Sequence, residues 1–122
     1  MRTKVVPIMD VLQHRRAFLP VYRALKENPD KNRTVLDTVD DRINSLKGSN
    51  QPLGIHHRFQ TIPKTYARKY SLQSLYHFEL PADYRLMYTV RRGQNGKEAL
   101  LLQILTHDQY NKILGYFKKK SH

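Results

Sequence analysis

The chain contains no cysteine, which excludes disulfide bridges and thiolate metal sites and leaves the redox compartment unmarked. It has no apolar run approaching the roughly 18 residues of a membrane span, and its N-terminus lacks the apolar centre of a signal peptide. A soluble cytoplasmic protein with no membrane partner is therefore expected. Acidic residues are also scarce, with 10 Asp and Glu against 22 Lys and Arg, for a formal charge of +12 and a pI near 10.1. An excess of that size in a small domain points to a polyanionic partner, either nucleic acid or an acidic protein. The competing reading is a solubility device or a generally basic composition. At 122 residues the sequence has the size of a single domain, 1–122, long enough to bury a core unaided.

What is present is organised around Tyr84 to Val90, where Tyr84, Leu86, Tyr88 and Val90 alternate with Arg85, Met87 and Thr89. That period of two belongs to a strand buried on one face. Ahead of it, Thr3 to Ile8 is β-branched with Pro7 near its end, which suits an edge strand. Val11, Phe18, Tyr22 and Leu25 then fall at helical spacing. They predict one helix from about Asp10 to Glu27, kinked at Pro20. The alternative is a helix starting near Leu19 with Pro20 in its first turn. Asn28-Pro29-Asp30 marks a turn, and Val35, Leu36, Val39, Ile43 and Leu46 trace one stripe of a helix over Asn32 to Lys47, stopped by Gly48. The two helices should form an antiparallel hairpin.

Gly48 to Ser74 has no sustained period and reads as a long loop. It interleaves cations and rings: His56, His57, Arg58, Phe59, Lys64, Tyr66, Arg68, Lys69 and Tyr70. Single-stranded nucleic acid needs that mixture, charge for phosphates and flat faces for bases. The bland reading is a basic loop pinned to the core by Phe59, Tyr66 and Tyr70.

Strands follow at Leu75 to Leu80, Tyr84 to Arg92 and Glu98 to Leu105, with turns at Pro81-Ala82-Asp83 and Gly93-Gln94-Asn95-Gly96. A last helix runs from about His107 to Lys118, with Tyr110, Ile113, Leu114 and Phe117 on one stripe and a capping box at Thr106 and Gln109. Lys118 to Lys120 form a basic end that complements the helix dipole. The fold class is α+β: an N-terminal strand, a helical hairpin, a three-stranded antiparallel meander in one sheet, and a C-terminal helix.

Slipping a strand by one residue exchanges its faces, so register can be argued from polarity. If the Pro81–Asp83 loop sets Leu80 opposite Tyr84, then Tyr76, Phe78, Leu80, Tyr84, Leu86, Tyr88 and Val90 share one face. Leu100, Leu102 and Ile104 can join them. The other face then collects His77, Glu79, Arg85, Met87, Thr89, Arg91 and Gln103, along with Ala99, Leu101 and Leu105. Arg85 lies there close to Gln103 and to the start of the last helix, a place suited to anions. An arginine fork can make two parallel hydrogen bonds to a phosphate.

The motifs Asp83-Tyr84-Arg85-Leu86-Met87-Tyr88-Thr89-Val90 and Thr106-His107-Asp108-Gln109-Tyr110 are similar to the Tyr-Arg strand and the closing His-x-x-Tyr segment of the RelE/ParE superfamily of type II toxins. The order of elements resembles that family as well, although the Gly48–Ser74 connection is longer than usual there. The resemblance implies a toxin that cleaves mRNA on the ribosome by attack of the 2′-hydroxyl on the adjacent phosphate. It also implies an antitoxin partner, expected to be acidic, in a toxin–antitoxin hetero-oligomer. Such a reaction needs a base, cations for the phosphorane and an acid for the leaving oxygen. By that match Arg85 would hold the scissile phosphate, and His107 or Tyr110 would handle the proton. Some members carry a further arginine in the closing segment, where this chain has His107, Asp108 and Tyr110. Lys64, Arg68, Lys69, His77 and Arg91 complete the expected RNA-binding set.

Each of these residues also has an ordinary structural role open to it. Arg85 could be a surface charge paired with Glu79, His107 a first-turn polar residue, and Tyr110 part of the core. Adjacent His56 and His57, without carboxylates or cysteines at ligand spacing, make a weak metal signal, and no metal or cofactor is expected. Two further functions stay open: a ParE-like toxin that poisons a topoisomerase, and a RelE-like domain that binds nucleic acid without cutting it.

Overall fold

The ten residues Tyr84–Gly93 form the middle strand of a five-stranded sheet. In the computed structural model, which describes residues 9–115, the strands are β1 (Asp10–Gln13), β2 (Ile55–His56), β3 (Tyr76–Glu79), β4 (Tyr84–Gly93) and β5 (Gly96–Thr106). Their order across the sheet is β1-β5-β4-β3-β2. All neighbours are antiparallel except β1 and β5, which run parallel. Four helices accompany them: α1 (Leu19–Lys26), α2 (Arg33–Lys47), α3 (Lys64–Tyr70) and α4 (His107–Leu114). The architecture is α+β. Among the described residues no helix is long and apolar enough to cross a membrane.

The expected register between β3 and β4 holds. Tyr76 pairs with Tyr88 and Phe78 with Leu86, and the Leu80 amide donates to the Tyr84 carbonyl at 2.8 Å. Between β4 and β5 it holds for only half the ladder. Met87 pairs with Gln103 but Tyr88 with Leu101, so Leu102 is an extra residue, a β-bulge. Beyond it the faces of β5 exchange. Leu101 and Ala99 pack with Ile104 on the first face, whereas Leu100 and Leu102, expected there, pack with Met87 and Leu105 on the second.

That second face is a core in its own right, and the polar surface expected of it is corrected accordingly. Ile62, Tyr66, Tyr70, Leu72, Leu75, Tyr110 and Leu114 cover it, brought by α3, α4 and the segments around them. A strand covered on both sides carries apolar residues at both parities. Met87 is fully buried and Thr89 nearly so, with the Thr89 hydroxyl 3.2 Å from that of Ser74. The first face is covered by Phe18, Tyr22 and Leu25 and by Val35, Val39 and Leu46 of α2. A 2.7 Å hydrogen bond from the Tyr22 hydroxyl to Asp40 ties α1 to α2.

The kinked helix expected from Asp10 to Glu27 is not formed. Asp10–Gln13 pairs with Glu98–Leu101 as a strand, the chain turns at His14 to Phe18, and α1 starts at Leu19. Pro20 then sits in the first helical turn, where its missing N–H removes no bond. Val11 and Phe18 belong to different elements but pack into one core, and this produced the helical spacing. The strand expected at 3–8, like Phe117 and the Lys118–Lys120 end, lies outside the described residues.

Residues 48–74, whose conformation the sequence left open, are partly helical. They hold β2, a 3₁₀ turn at Phe59–Thr61 and α3, elements too short to leave a readable period. Gly54 makes the entry possible. Its φ of +86° is a left-handed backbone, and a Cβ there would meet the His77 carbonyl at 2.5 Å. The last helix begins as expected, with Thr106 and Gln109 forming both bonds of the capping box. It ends earlier than expected, at Leu114, because Gly115 adopts the left-handed cap conformation with φ of 70°.

Candidate functional site

β5 runs straight into α4, so the strand end that pairs with β4 is also the helix entrance. Leu105 pairs with Arg85, and His107 is the first residue of α4. Arg85 and His107 meet here, with Nη2 and Nδ1 3.3 Å apart. The other terminal nitrogen of Arg85 donates to the Asp83 carbonyl at 3.2 Å. Its guanidinium carbon stands 5.1 Å from the centroid of the Tyr110 ring, a cation–π contact. Arg85, His107 and Tyr110 are thus brought together, as the sequence led one to expect.

A guanidinium only donates hydrogen bonds, so a hydrogen bond at this contact uses the lone pair of His107 Nδ1 and puts the ring proton on Nε2. Nε2 lies 3.1 Å from the Asn111 side-chain amide, which then offers its oxygen rather than its nitrogen, an assignment set by hydrogen-bond logic. Asn111 follows His107 by four residues and so shares its helix face. That spacing was available in the sequence and passed unused.

Arg85 has no carboxylate within ion-pair distance among the described residues. Glu79 is its cross-strand neighbour but turns to Nε2 of His77, 3.8 Å away. The pairing of Arg85 with Glu79 considered above is not made. The Nε atom of Arg85 is buried with no hydrogen-bond partner. The cation is fixed in position and its charge is unneutralised.

Beneath this group lies a buried pair of histidines. His57 Nε2 and His77 Nδ1 share a 2.8 Å hydrogen bond, and both rings stand edge-on to Tyr110, at 6.0 and 5.1 Å between centroids. Burial lowers the His57 pKa to about 4, with smaller contributions from His77 and His56. Burial also lowers that of His77, opposed by Glu79 and reinforced by Arg85. Both rings are neutral at pH 7. His77 is only 3% exposed, so it supports the site from below and offers no surface to a polymer. His57 was missed as a site residue because His56 and His57 were weighed only as metal ligands and as part of an exposed basic-aromatic segment. Its amide donates to the Leu75 carbonyl at 2.9 Å, which carries the chain inward just past β2.

The other expected residues divide. Lys64, Arg68 and Lys69 are exposed on α3, against the same sheet face as α4. Lys64 and Arg68 flank a groove of about 420 Å³ with Phe59, Gln60, Ile62, Ala67 and Leu72. Arg91 is not with them. It sits six residues along β4 from Arg85, about 20 Å at strand rise, and is held by Glu98 at 2.6 Å. Gln103, placed close to Arg85 by the register argument, instead pairs with Met87 and accepts a 2.8 Å hydrogen bond from Tyr66. Among the described residues no group of three or more His, Cys, Asp or Glu could hold a metal ion.

The arrangement can grip an anion with Arg85 and present an imidazole nitrogen beside it. No family model, curated protein or solved structure matches the chain significantly, so the meaning of the site rests on this geometry and on the sequence motifs that led to it.

Proposed function

We propose that the protein is an endoribonuclease of the RelE/ParE kind, the toxin of a type II toxin–antitoxin pair, cutting mRNA on the ribosome in the cytoplasm. The observation that carries this reading is the 3.3 Å contact between Nη2 of Arg85 and Nδ1 of His107. It joins an unpaired cation to a base across 22 residues of sequence. An RNA phosphate entering the site takes up the Arg85 N–H groups, and Nδ1 of His107 is released from its contact. Nδ1 then accepts the proton of the 2′-hydroxyl as that oxygen attacks phosphorus. The bond from phosphorus to the 5′-oxygen breaks, the leaving oxygen takes a proton from water, and a 2′,3′-cyclic phosphate and a 5′-hydroxyl result. Arg85 offsets the charge that builds on the phosphorane oxygens. Tyr110, only 8% exposed, holds the guanidinium from below and is a positioning residue in this scheme.

The formal charge of +12 fits both the RNA and an acidic antitoxin that would cover the toxin. The test is primer extension on translated mRNA with the purified protein, with end-group analysis for cyclic phosphate. The wild type should cut, and Arg85→Ala and His107→Ala should each lower the cutting rate at least about 100-fold with the fold intact. Cuts that persist in both variants would sink the mechanism. Growth arrest with intact mRNA and a blocked topoisomerase would replace it with the ParE-like alternative.

A further inference from the structure

We infer that the groove between the Phe59–Thr61 turn and α3 is a subsite that stacks a base of single-stranded RNA on Phe59 and holds its phosphates with Lys64 and Arg68. This rests on the ribonuclease reading above and extends it to the substrate. Four large hydrophobic side chains are exposed among the described residues, and Phe59, at 53%, is the most exposed and the only aromatic one. A side chain of that size is stabilised by burial, yet its backbone is held where the ring stays open. The Ile62 amide donates to the Phe59 carbonyl at 3.1 Å. The amide and hydroxyl of Thr61 both donate to the Arg58 carbonyl, at 2.9 and 2.7 Å. The ring is therefore presented at little further entropic cost, as a stacking platform requires.

The rest of the groove matches a base rather than a featureless apolar ligand. Ile62, Ala67 and Leu72 supply an apolar lining, Gln60 supplies an amide with both donor and acceptor, and Lys64 and Arg68 supply two cations. No acidic residue lines it. A planar ligand with polar edges and attached negative charge meets all three demands. The groove is tied to the candidate site through the chain. Phe59 lies two residues beyond His57, a reach of at most about 7 Å, and His57 is buried against His77 and Tyr110.

The test uses the full chain and a fluorescent 12-nucleotide RNA carrying 2′-O-methyl groups, which removes the attacking hydroxyl and separates binding from cleavage. Phe59→Ala should raise Kd about tenfold, and Phe59→Leu nearly as much, while Phe59→Trp keeps or tightens binding. The salt dependence should be unchanged in Phe59→Ala, whereas Lys64→Gln and Arg68→Gln should each lower its slope by about 0.7. An oligomer with abasic positions should bind the wild type as weakly as RNA binds Phe59→Ala. Wild-type affinity in both Phe59→Ala and Phe59→Leu overturns the inference, as does no loss with the abasic oligomer. So does a groove that takes an acidic peptide but not the RNA. Tight, Phe59-dependent binding by a protein that makes no cuts would leave the subsite standing and remove the nuclease reading alone.

Discussion

The Tyr88 hydroxyl serves both backbone groups of Leu53, 35 residues away. It accepts from the Leu53 amide at 2.8 Å and donates to the Leu53 carbonyl at 2.5 Å. The central strand thereby fastens the segment that brings His57 and Phe59 to their places. Burial first of all pushes the phenol up to about 12, so the proton it donates is retained well into alkaline solution. Tyr88→Phe keeps the stacking with Tyr76 and Phe78 and leaves two backbone groups without this partner. Stability should fall by about 1–3 kcal/mol, measured by urea unfolding. Amide exchange should speed up first around Leu53 and His57.

Arg85→Lys separates charge from shape. The ammonium can still neutralise a phosphate but cannot offer it two parallel N–H groups, and it loses the flat contact with Tyr110. Cleavage should fall about tenfold or more, with a smaller change in RNA affinity measured on the 2′-O-methyl oligomer. Equal losses in rate and affinity would mean that Arg85 only binds.

Stability should depend on pH through the buried histidine pair. The His57 pKa is 6.5 as an ordinary imidazole and about 4 in the fold. Above pH 6.5 neither state carries a proton there and the group contributes nothing to the slope. Between pH 6.5 and 4 the unfolded chain takes up a proton that the folded one refuses, so stability is lost as pH falls. Allowing for partial water access, the loss is about 2 kcal/mol, and His77 adds to it in the same direction. Urea midpoints measured from pH 7 to 4 should fall, and His57→Gln should flatten the curve. A wild-type midpoint independent of pH across that window would mean the pair is not buried in neutral form.

The β3–β4 register, the start of α4 and the meeting of Arg85, His107 and Tyr110 were all legible in the sequence. Each rests on a local rule: a short turn, a capping box, or alternation along one strand. What was hidden depended on long-range contacts. Nothing near Leu102 marks it as a bulge, because the three successive leucines Leu100 to Leu102 read equally well at either parity. The second core was read as polar because His77, Thr89 and Arg85 stand on it. The partners of His77 and Thr89, His57 and Ser74, come from residues 53–74, where no period could be seen. Asp10–Gln13 took the helical pattern because a strand and a helix filled one core at compatible spacing.

The order β1-β5-β4-β3-β2 leaves as the two outer strands the four residues of β1 and the two of β2. An outer strand is a template on which a second chain can grow, and its hazard rises with its length. Among the described residues the ten- and eleven-residue strands lie inside the sheet, flanked by these short margins. Copies of the chain repel one another through a charge of +12. Free of any partner, the protein should stay dispersed at low ionic strength, and salt should bring its copies together by screening that repulsion.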